Sequence, residues 1–418
     1  MKIVIINKSD LIGGAAVVSY RLMNALRNIG VDARMIVLDK VSNDDNVLSV
    51  KKDKTDKTYF LLERLGIFTN NGFSRENLFK VSTALWGRSL ASHPWIQEAD
   101  VVALNWINQG MLSIKGIEEI AALGKPLIWT MHDMWECTGI CHHAFECSRY
   151  KLQCGSCAFL GSHKEKDLST KVQKLKKKLY DKTDIHFVAV SNWLAERCRE
   201  SALLGPKSVS VIHNAFPIED FDYNRRNTPL HDIPTDKKVI VMGAARLDDP
   251  IKGFEYLIES LDYIARNKPE LAKKLHLILY GNIRDVSLLD KIAIPYTFIG
   301  RVNGIIDLVD IYTHSDIVIS TSFYETLPGT LIEGQASGCI PVTFGNGGQR
   351  DIVEHLISGY IAKYKDAGSI AEGIEWAVQA QINRKELHES VRAKFSAEKI
   401  ANDYLTLFNN LITNKKTK

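Results

Sequence analysis

Short apolar runs alternate with segments of helical period along most of this 418-residue chain. The first run, Lys2–Asn7, leads through two glycines into a helical pattern over Val17–Ile29, and a second strand pattern, Val31–Leu38, follows. A strand, a glycine-rich turn, a helix and a further strand in this order are typical of a doubly wound parallel sheet. Because the alternation begins again at the strand pattern Val239–Met242, we predict an α/β protein with two Rossmann-like domains.

The length of the chain also favours two domains, since it is too long for a single compact core. We place the N-terminal domain at residues 1–213 and the C-terminal domain at 214–396, with an irregular linker at Pro217–Lys237. Residues 397–418 contain a helical pattern with one apolar face that needs a surface to cover. A ligand is expected in the cleft between two such domains.

Composition excludes several classes of protein. Hydrophobic residues make up 45% and charged residues 24% of the chain, which excludes a collagenous, coiled-coil or largely disordered protein. The net charge of +4 is too small for a polyanion binder. No apolar run approaches the roughly 20 residues that cross a bilayer, and the N-terminal apolar run becomes polar at Asn7, too early for a signal peptide. We therefore expect a cytoplasmic protein.

Two glutamates separated by seven residues, Glu325 and Glu333, form the most specific local motif. The strand pattern Ile317–Ser320 places Glu325 beyond the carboxyl end of a parallel strand, where open sheets bind ligands. Gly329 lets backbone amides at the start of the next helix approach an anion. The structural alternative is that Glu325 is a solvated loop residue and Glu333 a partner of the helix dipole.

This segment resembles the E-x7-E donor site of the family 4 retaining glycosyltransferases. That family has the GT-B fold, in which two Rossmann-like domains face each other across a cleft and a C-terminal helix crosses back to the N-terminal domain. Further segments that match the family in order are Gly13-Gly14-Ala15, His132-Asp133, Val190-Ser191, Val211–Asn214, Gly243–Arg246, Lys252-Gly253, Gly281, Phe298–Val302, Gly345–Gly348 and Gly359-Tyr360. The resemblance covers most of the chain.

The resemblance implies a role for each matching residue. Glu333 would hold the ribose hydroxyls of a nucleotide-sugar, and Glu325 the sugar hydroxyls near the reacting carbon. Arg246 and Lys252 would stabilise the departing diphosphate, with structural salt bridges as the alternative. His132 would contact the donor sugar from across the cleft. The remaining donor contacts would be Gly13, Gly14, Gly281, Arg301, Val302, Pro328, Gly329, Thr330 and Leu331, and the acceptor-side residues would be Asp133 and Ser191.

The activity implied by the resemblance is retaining glycosyl transfer of the hexosyltransferase type. The donor would be a UDP- or GDP-sugar, no catalytic metal is expected, and the departing phosphate oxygen would take the acceptor proton; a covalent Glu325 intermediate is the alternative. The acceptor would be a glycan or a polyprenyl-diphosphate-linked glycan in capsule, lipopolysaccharide or exopolysaccharide assembly. An epimerase or phosphorylase of the same fold and a non-catalytic carbohydrate-binding scaffold remain alternatives. The sequence Gly13-Gly14-Ala15 departs from G-x-G-x-x-G, which disfavours an NAD enzyme.

A cysteine-rich insertion, residues 137–157, follows the histidine motif and resembles one found in a subgroup of bacterial polysaccharide glycosyltransferases. Its thiols at Cys141, Cys147, Cys154 and Cys157 could bind one tetrahedral Zn²⁺. Buried free thiols are the alternative, and disulfides are disfavoured in the cytoplasm. Such a site would be structural, since four thiolates leave no open coordination position.

A lysine-rich segment, residues 164–182, carries eight lysines and three acidic residues on a predicted helix. A solvated basic face is the usual meaning of such a pattern. Contact with anionic lipid or with a lipid-linked diphosphate acceptor is a further hypothesis. Nucleic-acid binding is disfavoured, because the overall charge is small and no recognition pattern is present.

Overall fold

The computed structural model describes residues 1–50, 53–161, 163–224, 233–234, 236–302 and 304–416. It divides into two compact α/β units, the first comprising Met1–Ala215 with Ala397–Lys418 and the second Phe216–Ser396. Residues 225–232 and 235 of the predicted linker lie outside the described residues, as do residues 417 and 418. In the described part of the chain, no helix is both long and apolar enough to cross a membrane.

The first unit is built on a seven-stranded parallel sheet of order β3-β2-β1-β5-β7-β8-β9, beside a two-stranded β4-β6 pair. Its strands are β1 (Lys2–Ser9), β2 (Asp32–Asp39), β3 (Val47–Ser49), β4 (Gly87–Arg88), β5 (Val101–Leu104), β6 (Gly110–Leu112), β7 (Leu127–Met131), β8 (Ile185–Ala189) and β9 (Val209–Val211). Its helices before the second unit are α1 (Gly14–Asn28), α2 (Asp53–Asn70), α3 (Pro94–Glu98), α4 (Ile114–Ala121), α5 (Leu168–Lys182) and α6 (Asn192–Arg199). The central strands are buried along nearly their whole length, which explains their continuous apolar sequences.

The second unit contains a six-stranded parallel sheet of order β12-β11-β10-β13-β14-β15. Its strands are β10 (Lys238–Arg246), β11 (Leu275–Asn282), β12 (Tyr296–Gly300), β13 (Ile317–Ser320), β14 (Ile340–Phe344) and β15 (Tyr360–Ala362). Its helices are α7 (Phe254–Asn267), α8 (Pro269–Ala272), α9 (Ile305–Thr313), α10 (Gly329–Ala336), α11 (Gln349–Ile352), α12 (Ala367–Gln379) and α13 (Arg384–Phe395). Two parallel α/β sheets in two units confirm the predicted fold class.

The last helix, α14 (Ala397–Lys416), belongs to the first unit although it follows the second along the chain. Its side chains Ile400, Tyr404 and Phe408 are almost fully buried in the core of the first unit. The Tyr404 hydroxyl lies 2.9 Å from the hydroxyl of Thr130 on β7. The apolar face of the terminal segment therefore covers the first unit, as the resemblance implied.

Strand β10 continues to Arg246, four residues beyond the predicted strand Val239–Met242. Its extension pairs Gly243 with Tyr280 of β11, and a Cβ atom at Gly243 would lie 1.8 Å from the Tyr280 ring. Glycine is required there because the aromatic ring occupies the space of a side chain. The extension places Arg246 at the very end of the strand.

Candidate functional site

The carboxyl ends of five parallel strands of the second unit lie at one edge of its sheet. The last residues of β10 and β11 include Arg246 and Gly281, and the segments that follow β12, β13 and β14 include Arg301, Val302, Glu325 and Gly345–Gly348. Because the strands are parallel, the topology gathers at one edge residues that are up to about a hundred positions apart in the sequence.

An ion pair between Lys252 and Glu325 lies at this edge. Lys252 Nζ is 2.5 Å from Glu325 Oε1, and the two side chains are 28% and 22% exposed. Burial acts to lower the pKa of Lys252, but the adjacent Glu325 carboxylate more than offsets it and holds that pKa above its ordinary value. The lysine is therefore a firmly protonated cation beside a carboxylate that solvent still reaches.

Backbone contacts fix the turn of Lys252 against the segment that precedes Glu325. The Phe323 amide donates to the carbonyl of Ile251 at 2.8 Å, and the Thr321 hydroxyl donates to the carbonyl of Lys252 at 3.1 Å. Gly253 adopts a φ of +59°, and a Cβ atom there would lie 2.2 Å from the Thr321 carbonyl oxygen. Only glycine satisfies both requirements, so Gly253 allows the two segments to meet.

The glycine turn after β14 supports Glu325 from another side. The Gly348 amide donates to the Glu325 carbonyl at 2.9 Å. A Cβ atom at Gly347 would lie 2.4 Å from the same carbonyl oxygen, and one at Gly348 would lie 2.0 Å from the carbonyl oxygen of Thr326. The predicted glycine motif therefore packs directly on the backbone of the catalytic candidate.

Helix α10 begins at Gly329, after Pro328, and no side chain caps its first turn. Glu333 lies one turn into this helix with 9% of its surface exposed, and its Oε1 is 4.0 Å from the position of a Cβ atom at Gly329. Of the other predicted contacts, Thr330 is half-buried and Leu331 fully buried. The helix start thus combines backbone donors suited to an anion with a carboxylate suited to hydroxyl groups.

Arg246 is held by two carboxylates close to it in sequence. Its Nη2 lies 3.0 Å from Asp249 Oδ2, and its Nε lies 3.6 Å from Asp248 Oδ1. Asp248 in turn accepts backbone N–H groups of Arg284 and Asp285 at 3.1 and 3.2 Å. Although burial acts to raise the pKa of Asp248, these donors hold it below its ordinary value. The arginine is positioned by these ion pairs at the carboxyl-end edge of the sheet.

In the first unit, His132 follows β7 and lines a small cavity. Its Nε2 lies 2.8 Å from Oδ1 of Asn105, which follows the neighbouring strand β5. Burial lowers the pKa of His132 to about 4, although Asp133 acts to raise it. His132 is therefore neutral near pH 7. The cavity is lined by Val18, Leu22, Asn105, Thr130, His132, His213, Asn214, Ala215, Ile400 and Tyr404.

Asp133 takes part in a dense set of hydrogen bonds. Its Oδ1 accepts the Trp135 amide at 2.7 Å, and its Oδ2 accepts the indole N–H of Trp106 at 2.9 Å and lies 2.8 Å from Nδ1 of His142. Burial acts to raise the pKa of Asp133, but His142, His143 and the Trp135 amide together outweigh it and lower the pKa to about 2. The carboxylate is ionised and its oxygens serve the local structure.

The other predicted residues of the first unit have simpler surroundings. Gly13 has a φ of +93° and immediately precedes α1, which starts at Gly14 without a side-chain cap. No atom lies within 4 Å of a Cβ position at either glycine. Ser191 is fully buried, and its hydroxyl accepts the Leu194 amide at 3.2 Å, which caps α6.

Most of the lysine-rich segment forms α5, which begins at Leu168, four residues after the predicted start, and its lysines are not equivalent. Lys176 is 1% exposed and donates to the carbonyls of Trp135 and Thr138 at 2.5 and 3.2 Å. Burial lowers the pKa of Lys176 to about 7, although the nearby Glu136 acts to raise it. Seven exposed lysines remain on this segment, namely Lys164, Lys166, Lys171, Lys174, Lys177, Lys178 and Lys182.

Several side chains around His132 were not identified from the sequence. Asn105 could have been found, because a polar residue directly follows the buried strand β5. His213 lies in a segment that matched the family, and its Nδ1 is 2.9 Å from the Val190 carbonyl oxygen. No sequence signal predicts that His142 contacts Asp133 or that Lys176 is buried, because both contacts depend on how the insertion folds.

Two family models match the chain. The model described as Glycosyltransferase Family 4 matches residues 12–220, half of the chain, and the model described as Glycosyl transferases group 1 matches residues 225–394. Each model therefore corresponds to most of one α/β unit.

Among curated proteins, the chain is 27% identical over 221 residues to an uncharacterised glycosyltransferase of Methanocaldococcus jannaschii. The aligned region covers 48% of this chain and 53% of that protein. The chain is 23% identical over 244 residues to the N-acetyl-alpha-D-glucosaminyl L-malate synthase of Bacillus anthracis. This alignment covers 54% of this chain and 60% of that protein. The matched region thus spans little more than half the length of these relatives.

Solved structures match the chain over nearly its whole length. A glycosyltransferase of Rickettsia africae has a TM-score of 0.66 at 14% identity, with 99% of both chains covered. Anabaena HepE in complex with UDP and glucose has a TM-score of 0.61 at 16% identity, with 98% of this chain and 99% of that chain covered. The lipopolysaccharide outer core galactosyltransferase WaaB has a TM-score of 0.60 at 14% identity, with 99% of this chain and 100% of that chain covered. At these identities the likeness establishes the GT-B fold.

Proposed function

Since the chain belongs to glycosyltransferase family 4, we propose that it transfers a sugar from a nucleotide diphosphate-sugar to a glycan or lipid-linked glycan with retention of anomeric configuration. The observation that supports this most is the Lys252–Glu325 pair at the strand-end edge of the second unit, beside the uncapped start of α10. This edge offers positive groups for a diphosphate and carboxylates for hydroxyl groups. A nucleotide diphosphate-sugar requires both.

In this proposal, the diphosphate binds to Lys252, to Arg246 and to the backbone amides at the start of α10. A guanidinium binds phosphate oxygens in fork-like geometry, an ammonium acts as a point charge, and a helix start adds N–H donors. Phosphate would compete with Asp249 for Arg246 and with Glu325 for Lys252. We further propose that these groups neutralise the leaving diphosphate without a catalytic metal.

The two glutamates would recognise hydroxyl groups of the donor. Glu333, on the inner side of α10, would accept the ribose hydroxyls, and Glu325 would accept hydroxyls of the transferred sugar. The neutral imidazole of His132 would hydrogen-bond a further sugar hydroxyl, since a neutral ring donates through one nitrogen and accepts through the other. The donor is proposed to be a UDP- or GDP-sugar; Anabaena HepE is a structural neighbour in complex with UDP and glucose.

The proposed reaction exchanges one bond at the anomeric carbon. The bond from that carbon to the phosphate oxygen breaks, the bond to the acceptor oxygen forms on the same face, and the acceptor proton passes to the departing phosphate oxygen. Lys252 and Arg246 would stabilise the charge that develops on this oxygen. No separate protein base is then needed.

The proposed setting is the assembly of cell-surface polysaccharide such as capsule or lipopolysaccharide, on the cytoplasmic face of a membrane. Two structural neighbours, WaaB and WaaG, are glycosyltransferases of lipopolysaccharide synthesis. The exposed lysines of residues 164–182 would contact anionic lipid or the diphosphate of a polyprenyl-linked acceptor. Sedimentation with vesicles that contain or lack anionic lipid tests this contact, and equal binding to both would contradict it.

The central experiment is a thermal-shift panel of UDP-, GDP-, ADP- and CMP-sugars with wild-type protein, Glu325→Ala and Arg246→Ala. We expect one nucleotide class to stabilise the wild type and to stabilise both variants less. Glu389→Ala, an exposed carboxylate in the same unit, serves as the control. Stabilisation by none of the donors would overturn the proposed function. Equal stabilisation of all four proteins would overturn only the assignment of Glu325 and Arg246.

A further inference from the structure

Four of the five cysteines in the insertion line one small cavity in the first unit: Cys141, Cys147, Cys154 and Cys157. The fifth, Cys137, does not line it; its thiol donates to the Met134 carbonyl at 3.3 Å. The four thiols whose spacing in the sequence suits a tetrahedral metal site therefore share one cavity. Cys137, which lies outside that pattern, is kept apart from them.

The four cysteines come from three stretches of the insertion, and all of them lie on the wall of this one cavity. All seven cysteines of the chain are free, so no pair in the cavity forms a disulfide. Of the four, Cys141 and Cys154 are buried, Cys157 is half-buried and Cys147 is exposed.

The backbone around Cys154 and Cys157 is a tight turn built for close approach. Gly155 has a φ of +157°, and a Cβ atom there would lie 1.9 Å from the Glu165 carbonyl oxygen. A Cβ atom at Gly139 would lie 3.1 Å from the Cys154 sulfur and 2.7 Å from the Ser169 carbonyl oxygen. The glycines let three separate stretches of chain converge around the sulfurs.

We propose that Cys141, Cys147, Cys154 and Cys157 bind one structural Zn²⁺ as thiolates. In this conformation, no group of three or more histidine, cysteine, aspartate or glutamate side chains among the described residues is placed to hold a metal ion. Binding therefore requires the thiols on the cavity wall to turn inward by rotation about their Cα–Cβ bonds and to release their protons. Zinc suits four thiolates better than magnesium or calcium, which prefer oxygen ligands.

The proposed metal would also fix the insertion against the histidine motif. His142 directly follows the ligand Cys141, and its ring bridges Asp133 at 2.8 Å and the hydroxyl of Ser82 at 3.0 Å. The Thr138 hydroxyl donates to the Cys141 carbonyl at 2.6 Å. A zinc ion at the four thiols would thus hold His142 where it supports Asp133, beside His132.

The test is the metal content of full-length protein purified without added zinc or chelator. We expect about one zinc ion per chain by elemental analysis. Replacement of zinc by Co²⁺ should produce the visible and thiolate-to-metal absorption bands of a tetrahedral thiolate site. Wild-type protein that contains only traces of zinc, fails to develop these bands and has four readily modified thiols would overturn the proposal. A disulfide within the cluster, found by mass spectrometry of unreduced protein, would overturn it as well.

A pair of variants locates the metal. Cys154→Ser combined with Cys157→Ser should lose the zinc, whereas Cys339→Ala, at a buried cysteine of the second unit, should retain it. Retention of zinc by the double variant would contradict the assignment of the ligands. If the double variant does not fold, the metal content and Co²⁺ spectrum of the wild type still decide the proposal. None of these measurements depends on transferase activity.

Discussion

Lys252 Nζ lies 2.5 Å from Glu325 Oε1, although 73 residues separate the two in the chain. The contact exists because β10 and β13 are adjacent parallel strands whose following segments emerge at the same edge. Each residue lies on a segment that is fixed by backbone hydrogen bonds to the other. In the proposed reaction, the pair separates when the diphosphate binds Lys252 and the sugar hydroxyls bind Glu325.

We predict that Glu325→Gln lowers kcat/KM for sugar transfer by about 100-fold or more, since an amide accepts hydroxyl groups less strongly than a carboxylate. Steady-state kinetics with the donor identified by thermal shift would measure this. Glu375→Gln is the matched control, because Glu375 forms a similarly exposed ion pair with Lys268 away from the strand-end edge. Equal losses in the two variants would indicate a general effect on the unit.

Glu333→Gln should weaken binding of the nucleotide diphosphate by about 10-fold or more, because a hydrogen bond to a charged group contributes about 1.5–3 kcal/mol. It should also reduce the preference for ribose over deoxyribose. Calorimetric titration of wild type and variant with the nucleotide and its deoxy analogues measures both effects. If the variant keeps the full preference for ribose, Glu333 does not contact the ribose.

The stability of the protein should depend on the protonation of His132. Its pKa is lowered from 6.5 to about 4 in the folded state, so between these pH values the unfolded chain binds more protons. The contribution of His132 to the free energy of unfolding is fully present above pH 6.5. It decreases by up to about 3 kcal/mol as the pH falls towards 4.

Denaturant unfolding of wild type and His132→Gln at several pH values between 4 and 7 measures this contribution. It is the difference between the two proteins in how steeply the free energy of unfolding changes with pH. His163→Gln alters an exposed ring and should follow the wild type. A His132→Gln profile parallel to that of the wild type would show that the imidazole is not protected from protonation.

Substitution of glycines should separate structural from binding roles among the predicted site residues. Gly281→Ala should destabilise the protein by about 1–3 kcal/mol or more, because Gly281 has a φ of +120° and its Cβ would lie 1.8 Å from the Ala244 carbonyl oxygen. Gly14→Ala should leave stability nearly unchanged, since nothing lies within 4 Å of its Cβ position. Thermal unfolding compares the two, and an equal loss in Gly14→Ala would contradict this account of the α1 start.

Much of the fold and of the donor-side edge could be predicted from sequence. Apolar runs with turn residues after them mark parallel strands, and the carboxyl ends of such strands share an edge, so the position of Glu325 follows from pattern. Arg246 and the glycine turns were identified through the resemblance to family 4. The contacts within that edge could not be predicted. The ion pair of Lys252 depends on the lateral order of β10 and β13, which local pattern does not encode.

The region after His132 shows where local pattern is insufficient. A run of lysines in the sequence indicates a solvated basic face, yet Lys176 is buried because the carbonyls of Trp135 and Thr138 accept its ammonium protons. Asp133 is predicted as an acceptor-side residue, yet Trp106, Trp135 and His142 bind its carboxylate. These outcomes depend on partners from distant segments.

The sequence by itself determined two parallel α/β sheets, a glutamate motif at a strand end and a cysteine cluster of tetrahedral-site spacing, because periodicity and residue spacing are local properties of the chain. Only the tertiary structure decided that Glu325 pairs with Lys252, that His132 is kept neutral beside Asn105, and that four cysteines share one cavity without Cys137. Burial, pairing and proximity depend on which distant segments pack together, and the free energy of that packing is a property of the whole fold.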